Sequence, residues 1–376
     1  AWAQDKDSVM IKKISNEILL NGKAYPNLYS LCKTVGPRLS GSAGMYKAEQ
    51  WGLQALKDAG AENVYLQQCM VPHWVRGEKE FAGYRSANKN FNKEYNVLAL
   101  GNTVGTGNKG VTAQVIEIKN FDELDKRKDE VIGKIVFFNY PFNKTYLRGA
   151  YGDAVRYRVN GPSAAARYGA VAVIVRSVTG ALDDFPHTGT MHYDENQPKI
   201  PAVAISTIGA NKLRADIKGA YKNEKLYLQT NCIMLPDTIG HNVIGEVKGT
   251  EFPDEIITVG GHLDSWDPGE GASDDGTGIV NSIEIIRVFK TLGYKPKRTI
   301  RIVLFANEEN GLRGATKYAE EAKQKNENHI MAMESDGGAE FPRGFVCGMT
   351  KEQYVKVQSW LKYFEHFDAT RFSFSE

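Results

Sequence analysis

An α/β fold with a mostly parallel central sheet and helices on both faces is predicted from three observations. After His241 strands and helices alternate, and such alternation is typical of a largely parallel sheet. Residues 299–306 form a nearly continuous apolar run, which predicts a strand. A β-rich block at 111–235 stands between segments that belong together, and this arrangement indicates an inserted domain.

The first 60 residues are predicted to be mainly helical. Apolar residues recur near the 3.6-residue period over 6–20 and again over 43–59, and a glycine follows closely after each segment. Residues 62–71 and 94–100 have the composition of strands. We assign residues 1–110 to the N-terminal part of the main domain.

The inserted block is predicted at 111–235. Its expected elements are four strands and two short helices, at 131–138, 169–175, 200–205 and 225–229 for the strands and at 163–168 and 208–219 for the helices. The block interrupts the helical elements, so we expect an insertion and not a terminal domain.

Residues 236–376 are predicted to contain the core of the main domain. The expected strands are 242–249, 255–262, 299–306 and 329–334, and the expected helices are 278–292, 312–325 and 352–364. Ligands of open parallel sheets gather at the carboxyl ends of the strands, so those ends are the first place to look for a site.

Composition excludes several classes of protein. The 376 residues carry 47 Lys and Arg against 45 Asp and Glu, a net charge of +2, which argues against a nucleic-acid partner. The densest apolar run, 169–175, is far shorter than the roughly 18 residues of a membrane span. An apolar content of 42% fits a globular fold.

The first residues and the cysteines bear on location. Ala1-Trp2-Ala3 has the form of a signal-peptidase site, from which we expect a secreted or periplasmic protein. Four cysteines, at 32, 69, 232 and 347, are widely spaced and form no Cys-x-x-Cys pair. They are either buried apolar residues or partners in one or two disulfides, and the spacing does not pair them.

Polar side chains follow three consecutive strands of the predicted parallel sheet. His262 and Asp264 end one strand and are followed by the turn Asp274-Asp275-Gly276, Glu308 and Glu309 follow the next strand, and Asp336 follows the third. Each piece alone is equally well explained as a turn or a helix start. Together they place one histidine and several carboxylates at one sheet edge. The carboxylates would repel one another there, and a divalent cation such as zinc relieves that repulsion.

The order of these motifs resembles that of the co-catalytic di-zinc aminopeptidase and carboxypeptidase family. The shared pattern is His-x-Asp, Asp-Asp-Gly, Glu-Glu and Ser-Asp over 240–345, and the resemblance extends over nearly the whole chain. It implies a phosphorylase/hydrolase-like zinc-peptidase domain. The block at 111–235 resembles a protease-associated domain.

This resemblance implies a role for each polar residue. His262 and Asp336 would bind the first zinc ion, Asp274 would bridge two ions, and Glu309 would bind the second. Glu308 would be the general base. Two zinc ions are expected in the complete enzyme.

Two further acidic residues are given supporting roles by the same resemblance. Asp264 would stand behind the histidine as a carboxylate that orients its ring. Asp275 would shape the loop, through a cis peptide bond to the residue before it.

The family also has a second histidine, far downstream, that completes the second zinc site. His366 is the sole histidine after Asp336, and its surroundings do not resemble the family's segment. We therefore expect the C-terminal part of the domain to be missing from this chain. Among the other histidines, His187 and His192 lie in a polar loop of the inserted block, and His187 is a candidate substrate contact.

The leading prediction is a zinc-dependent exopeptidase that hydrolyses dipeptides or short peptides. The alternatives are acyl transfer as in glutaminyl-peptide cyclases and a non-catalytic binding protein on the same scaffold. A peptide substrate and, by analogy, a homodimer are expected, with no nucleic-acid partner and no membrane span. Terminal specificity is left open: an acidic group near the metals would favour a free amine, an arginine or lysine a free carboxylate.

Overall fold

A computed structural model describes residues 5–85, 91–146, 149–336 and 341–375 of the chain. The signal-peptidase pattern at Ala1–Ala3 lies outside the described residues, so it stays a prediction. No helix of the described chain is long and apolar enough to cross a membrane. The four cysteines are buried and free, which agrees with the prediction that they are buried apolar residues and not disulfide partners.

The helices fall close to the predicted positions in both halves of the chain. They are α1 (Lys6–Asn21), α2 (Ala24–Ser30), α3 (Ala43–Asp58), α4 (Phe121–Lys126), α5 (Ala150–Val159), α6 (Gly161–Ala166), α7 (Thr207–Lys218), α8 (Thr277–Thr291), α9 (Arg313–Gln324) and α10 (Lys351–Gln358). Side chains cap several of them: Ser42 accepts from the backbone of Met45, and Ser206 from that of Gly209. The periodicity did not predict α2, α4 and α5.

The strands form several separate sheets. In chain order they are β1 (Glu62–Val75), β2 (Phe81–Arg85), β3 (Phe91–Tyr95), β4 (Val97–Ala99), β5 (Val111–Ala113), β6 (Val115–Ile118), β7 (Ile135–Phe138), β8 (Ala172–Arg176), β9 (Ala202–Ile205), β10 (Leu226–Gln229), β11 (Ile233–Val247), β12 (Phe252–His262), β13 (Arg298–Phe305), β14 (Asn328–Glu334), β15 (Gly344–Gly348) and β16 (Arg371–Ser375).

The central sheet is mixed but mostly parallel, as predicted: four of its five strands run in the same direction, and β11 is reversed. Its order is β1-β11-β13-β12-β14. Strand β12 is parallel to both β13 and β14, whereas β11 is antiparallel to β13 and to β1. Strand β11 is reversed because it returns from the insertion and pairs along its length with β1, the strand that leads into the insertion. The three adjacent parallel strands β13, β12 and β14 carry the site.

Helices cover both faces of the central sheet, as predicted. Ile300, Ile302 and Leu304 of β13 point into a core shared with α3 and α8. The alternate residues point the other way, where Phe305 contacts the ring of Tyr318 on α9 with the two ring centres 5.7 Å apart. Burial on both faces makes this strand read as a continuous apolar run in the sequence.

The inserted module begins earlier than the composition change at residue 111 predicts. The chain leaves the central sheet at Val75 and returns to it at Ile233, and β2 to β10 lie between. One sheet of the module has the order β3-β2-β10-β5 and the other the order β4-β9-β8-β7-β6. Strands β2, β3 and β4 therefore belong to the module and not to the main domain. These three strands are short, so the sequence pattern alone did not show that they belong to a different sheet from β1.

The module has its own hydrophobic core. Ile135 and Phe137 of β7 point to one side of the five-stranded sheet, toward α7 and the second sheet. Val136 and Phe138 point to the other side, toward α5 and α6. All four are fully buried, and so the module is packed on both sides.

The last described segment is a small unit beyond the central sheet. Strands β15 and β16 pair in parallel, with α10 between them in the sequence. The helix is shorter than the predicted 352–364: it ends at Gln358, and two short turns, Leu361–Tyr363 and Glu365–Phe367, follow it.

Candidate metal centre

The carboxyl ends of three parallel strands lie side by side, as the sequence predicts. His262 of β12 is in register with Phe305 of β13, and Gly260 of β12 with Glu334 of β14. The polar residues that follow each strand therefore leave the sheet at the same level. This alignment brings together residues that are up to 74 positions apart in the chain.

His262 is the buried centre of this cluster. Its side chain is 1% exposed, and its Nδ1 lies 3.0 Å from the backbone oxygen of Asp264. Nε2 is buried and makes no hydrogen bond, although it lies 3.0 Å from Asp274 Oδ1, 3.5 Å from Asp336 Oδ1 and 4.0 Å from Glu308 Oε2. A buried ring nitrogen with no hydrogen bond and three carboxylates around it has the surroundings of a metal ligand.

Three of these residues could hold one metal ion. One ligand atom each of His262, Asp274 and Asp336 lies within 4.8 Å of the other two. A neutral imidazole with carboxylate oxygens is a donor set that suits zinc. The residues present therefore fit the ion that the family resemblance implies.

The electrostatics of the cluster favour a cation at its centre. Burial by itself lowers the pKa of His262, but the carboxylates of Asp274 and Asp336 outweigh burial and raise it to about 12. Burial, together with the neighbouring acidic groups, raises the pKa of Glu308. The site thus attracts positive charge, and a metal ion supplies it where the imidazole is neutral.

The role expected of Asp264 needs a correction. Its carboxylate was predicted to orient the ring of His262, but it lies 3.8 Å from Nδ1, and its backbone oxygen makes the close contact instead. The fully buried carboxylate accepts hydrogen bonds from the backbone N–H of Glu308 at 3.0 Å and of Glu309 at 3.2 Å. Asp264 therefore fixes the two glutamates in place.

Asp275 and two glycines hold the loop that carries Asp274. The peptide bond between the two aspartates is cis, as predicted. The buried Asp275 carboxylate accepts from the backbone N–H of His262 and of Gly278, both at 3.0 Å. A Cβ at Gly261 would lie 2.2 Å from this carboxylate, and one at Gly278 would lie 2.4 Å from it. Sequence reasoning missed both glycines; they occur next to the motifs, and only the packing shows why no side chain fits.

Glu309 lines the same cleft as Asp274, whose charge acts on its carboxyl group. Its Oε1 accepts from the backbone N–H of Trp266 at 3.2 Å, and burial with the nearby carboxylates raises its pKa to about 9. No second histidine of the described chain joins a group of metal-ligand spacing here. His366 is exposed in the turn after α10.

Two arginines tie the surrounding loops together. Arg38 is fully buried and donates to the backbone oxygens of Leu263, Glu270 and Gly271. Arg76, at the neck of the inserted module, donates from two nitrogens to Asp267 at 2.6 and 2.7 Å. The first arginine therefore supports the loop between two site residues, and the second joins that loop to the module.

The inserted module forms the opposite wall of a cleft of about 830 Å³ over the cluster. His187 does not line this cleft: its Nε2 lies 3.9 Å from Asp183, and its backbone N–H donates to Ser177. His192 lines it instead, with Tyr151, Arg158 and Trp266. The loop that contains both histidines does line the cleft, through Thr188–Thr190 and His192, but which histidine faces inward depends on local turns that the sequence did not predict.

The fold and the site together define a class of protein. A sheet of this topology, with a histidine and carboxylates converging at the carboxyl ends of its parallel strands, has the arrangement of a metal-binding protein. The model of peptidase family M28 matches residues 242–371. The chain belongs to this family.

Named relatives agree with this assignment. The chain is 39% identical to carboxypeptidase Q of Mus musculus over 324 residues, 86% of this chain and 66% of that protein. It is 39% identical to carboxypeptidase Q of Xenopus laevis over 334 residues, 87% of this chain and 68% of that protein. The chain thus spans about two thirds of the length of these relatives.

Solved structures share the fold over most of the chain. A peptidase M28 precursor from Shewanella amazonensis is 32% identical, with a TM-score of 0.90 over 98% of this chain and 82% of the other. A zinc aminopeptidase from Bacillus subtilis is 20% identical, with a TM-score of 0.66 over 94% of this chain and 79% of the other. At that identity the second likeness concerns the fold alone.

Proposed function

We propose that this chain is the catalytic part of a zinc-dependent exopeptidase that hydrolyses dipeptides or short peptides. The observation that carries the proposal is the buried Nε2 of His262, which has no hydrogen-bond partner and faces three carboxylates. Zinc peptidases and the carboxypeptidase Q relatives support it. Neither acyl transfer nor a non-catalytic role draws support from these relatives.

The ligand roles are proposed from the positions of the side chains together with the family resemblance. His262, Asp274 and Asp336 would hold the first zinc ion, and Asp274 with Glu309 would hold a second. A zinc ion in such a site supplies a water of lowered pKa and polarises a peptide carbonyl. The number of ions held by this chain is part of the proposal.

Glu308 is the proposed general base. Its carboxylate is about one-third exposed and lines the cleft, while the backbone N–H of the residue is fixed by Asp264. Burial raises its pKa, which makes the carboxylate a stronger base than one in water. Glu308 would take a proton from the attacking water and deliver it to the leaving amine.

The inserted module is proposed to be a protease-associated domain that closes the cleft and contacts the peptide. The cleft-lining residues Arg158 and His192 come from this module. A homodimer and a secreted or periplasmic location are proposed by analogy with the family.

The test is zinc content and hydrolysis on the same purified chain. After dialysis against zinc and then a weak chelator, the protein is expected to retain zinc and to release free amino acids from a panel of dipeptides. Retained zinc without any hydrolysis would contradict the enzymatic proposal and favour a binding protein. A protein that holds no zinc would contradict the ligand assignment itself.

A further inference from the structure

Arg158 is a buried cation that lacks an anion. Its residue is 8% exposed, and no carboxylate of the described chain lies within ion-pair distance of its guanidinium. Among the described residues that line the cleft it is the one lysine or arginine. An arginine desolvated to this degree is costly unless a counter-charge accompanies it.

The donors of Arg158 are only partly used. One terminal nitrogen donates to the hydroxyl of Tyr151 at 2.7 Å, and the other to the backbone oxygen of Thr188 at 3.4 Å. Nε is buried without a partner. A guanidinium has five N–H groups, so donors remain for a ligand in the cleft. The contacts that exist hold the planar group in one orientation, which favours recognition of a carboxylate.

A short chain of contacts joins this arginine to the metal cluster. A Cβ at Gly189 would lie 2.3 Å from the guanidinium carbon, so the backbone passes directly against the arginine. The oxygen of Gly189 accepts from the backbone N–H of Gly101, against which the Trp266 ring packs. The backbone N–H of Trp266 in turn donates to Glu309. Arg158 and the metal cluster thus line the same cleft and are connected through Gly189, Gly101 and Trp266.

We infer that Arg158 binds a carboxylate of the peptide substrate and thereby selects which bonds are placed at the metal cluster. The inference rests on the proposed function. Two parts of a peptide offer this group: the C-terminal α-carboxylate and an acidic side chain next to the scissile bond. Recognition of the α-carboxylate would make the site a dipeptidase or carboxypeptidase site, which the sequence left open.

The test compares substrates that differ only in one carboxylate. The first pair is alanyl-alanine and alanyl-alanine amide, and the second is the α-amides of alanyl-glutamate and alanyl-glutamine. The zinc-loaded chain is expected to prefer the carboxylate member of one pair by about 10- to 100-fold in kcat/KM, mainly through KM, which is the usual range for a hydrogen-bonded charge. The pair that shows the preference identifies the source of the carboxylate.

Variants assign the preference to Arg158. Arg158→Gln is expected to reduce the ratio of the two kcat/KM values to about one. Arg158→Lys, which keeps the charge but not the fork of donors, is expected to leave an intermediate ratio. Arg156→Gln is the matched control, since Arg156 lies on the same helix, is half exposed and does not line the cleft. Its ratio is expected to equal that of the unmodified chain.

The outcomes separate this inference from the proposed function. Hydrolysis with no preference in either pair, or a preference that survives both Arg158 variants, would overturn the role of Arg158 and leave the exopeptidase proposal standing. If the zinc-loaded chain hydrolyses none of the peptides, the proposed function fails. Calorimetric binding of the same pairs then decides: a carboxylate preference in Kd that is lost in Arg158→Gln supports the inference, and equal Kd values contradict it.

Discussion

The two ends of the central sheet each hold a histidine among carboxylates, yet the two clusters differ in charge balance. At the carboxyl end, Nε2 of His262 makes no hydrogen bond, and the acidic groups around it have no arginine or lysine partner in the described chain. At the opposite end, where β14 begins, both ring nitrogens of His329 have partners, Thr258 Oγ1 and Glu327 Oε2, each at 2.9 Å.

An arginine accounts for the difference. Arg301, in the middle of β13, lies 2.6 Å from Glu327, the carboxylate that His329 contacts, and 2.6 Å from Glu246. Nothing comparable in the described chain reaches the carboxylates of the other cluster. A polar network whose charges and hydrogen bonds are all paired rigidifies the fold. A cluster with unpaired negative charge instead favours the binding of a cation. The comparison indicates which histidine is functional without reference to any relative.

The largest expected effect is on catalysis at the carboxyl end. Glu308→Gln keeps the shape of the side chain but cannot accept the proton of the attacking water. We expect kcat to fall by about 10²- to 10⁴-fold, the usual contribution of a general base, while the zinc content stays unchanged. Peptide hydrolysis and elemental analysis of the same sample test this. Glu320→Gln, a change at an exposed glutamate, is the control; equal activity in both variants would remove the base assignment.

The comparison itself is tested by replacing each histidine in turn. His262→Asn is expected to weaken zinc binding by more than about 100-fold. Mutation of a residue that only hydrogen-bonds to a metal ligand already lowers metal affinity by about 10- to 100-fold. His329→Asn is expected to bind zinc as the unmodified chain does. Competition with a coloured chelator measures both. Equal zinc loss in the two variants would show that charge balance does not distinguish the clusters.

The Arg301 network is expected to matter for the free energy of unfolding, whereas the His262 cluster is expected to matter for zinc binding. Arg301→Met leaves Glu246 and Glu327 without their shared cation in a largely buried place, and we expect a loss of about 3 kcal/mol in the free energy of unfolding. Arg298→Met, in the same strand, breaks a half-exposed pair with Glu255 and should cost less than about 1 kcal/mol. Urea denaturation of the metal-free proteins gives both values. A larger loss for the second variant would contradict the structural role of the Arg301 network.

The smallest effect is a pH dependence of the same network. Burial acts to raise the pKa of Glu327, but hydrogen bonds from Arg301 and His329 outweigh it and the pKa lies below its ordinary value. A lowered pKa stabilises the fold above the unfolded value of about 4.3, and this contribution disappears as pH falls through the folded value. Relative to Glu327→Gln, the unmodified chain is expected to be more stable by on the order of 1 kcal/mol at pH 6. That advantage should shrink below about pH 4; a pH-independent difference would contradict it.

Much of the fold was predictable because local pattern and final environment agree. The amphipathic helices α3, α8 and α9 and the apolar strands β8 and β13 lie within a few residues of their predicted bounds. Short strands such as β2 and β5 were not predicted, because three to five residues carry too little pattern. The reversed direction of β11 was missed for another reason, since it follows from the pairing of β11 with β1 across the whole inserted segment.

The sequence by itself determined which residues meet at the site. Motifs at the ends of consecutive parallel strands must converge, so His262, Asp274, Glu308, Glu309 and Asp336 could be named from their positions. What each neighbouring group does was decided by the tertiary structure. The Asp264 carboxylate binds two backbone N–H groups and not the histidine, His192 and not His187 lines the cleft, and Arg158 stands across the cleft without a counter-charge. These contacts join segments far apart in the chain and depend on the packing of the inserted module, which no local pattern encodes.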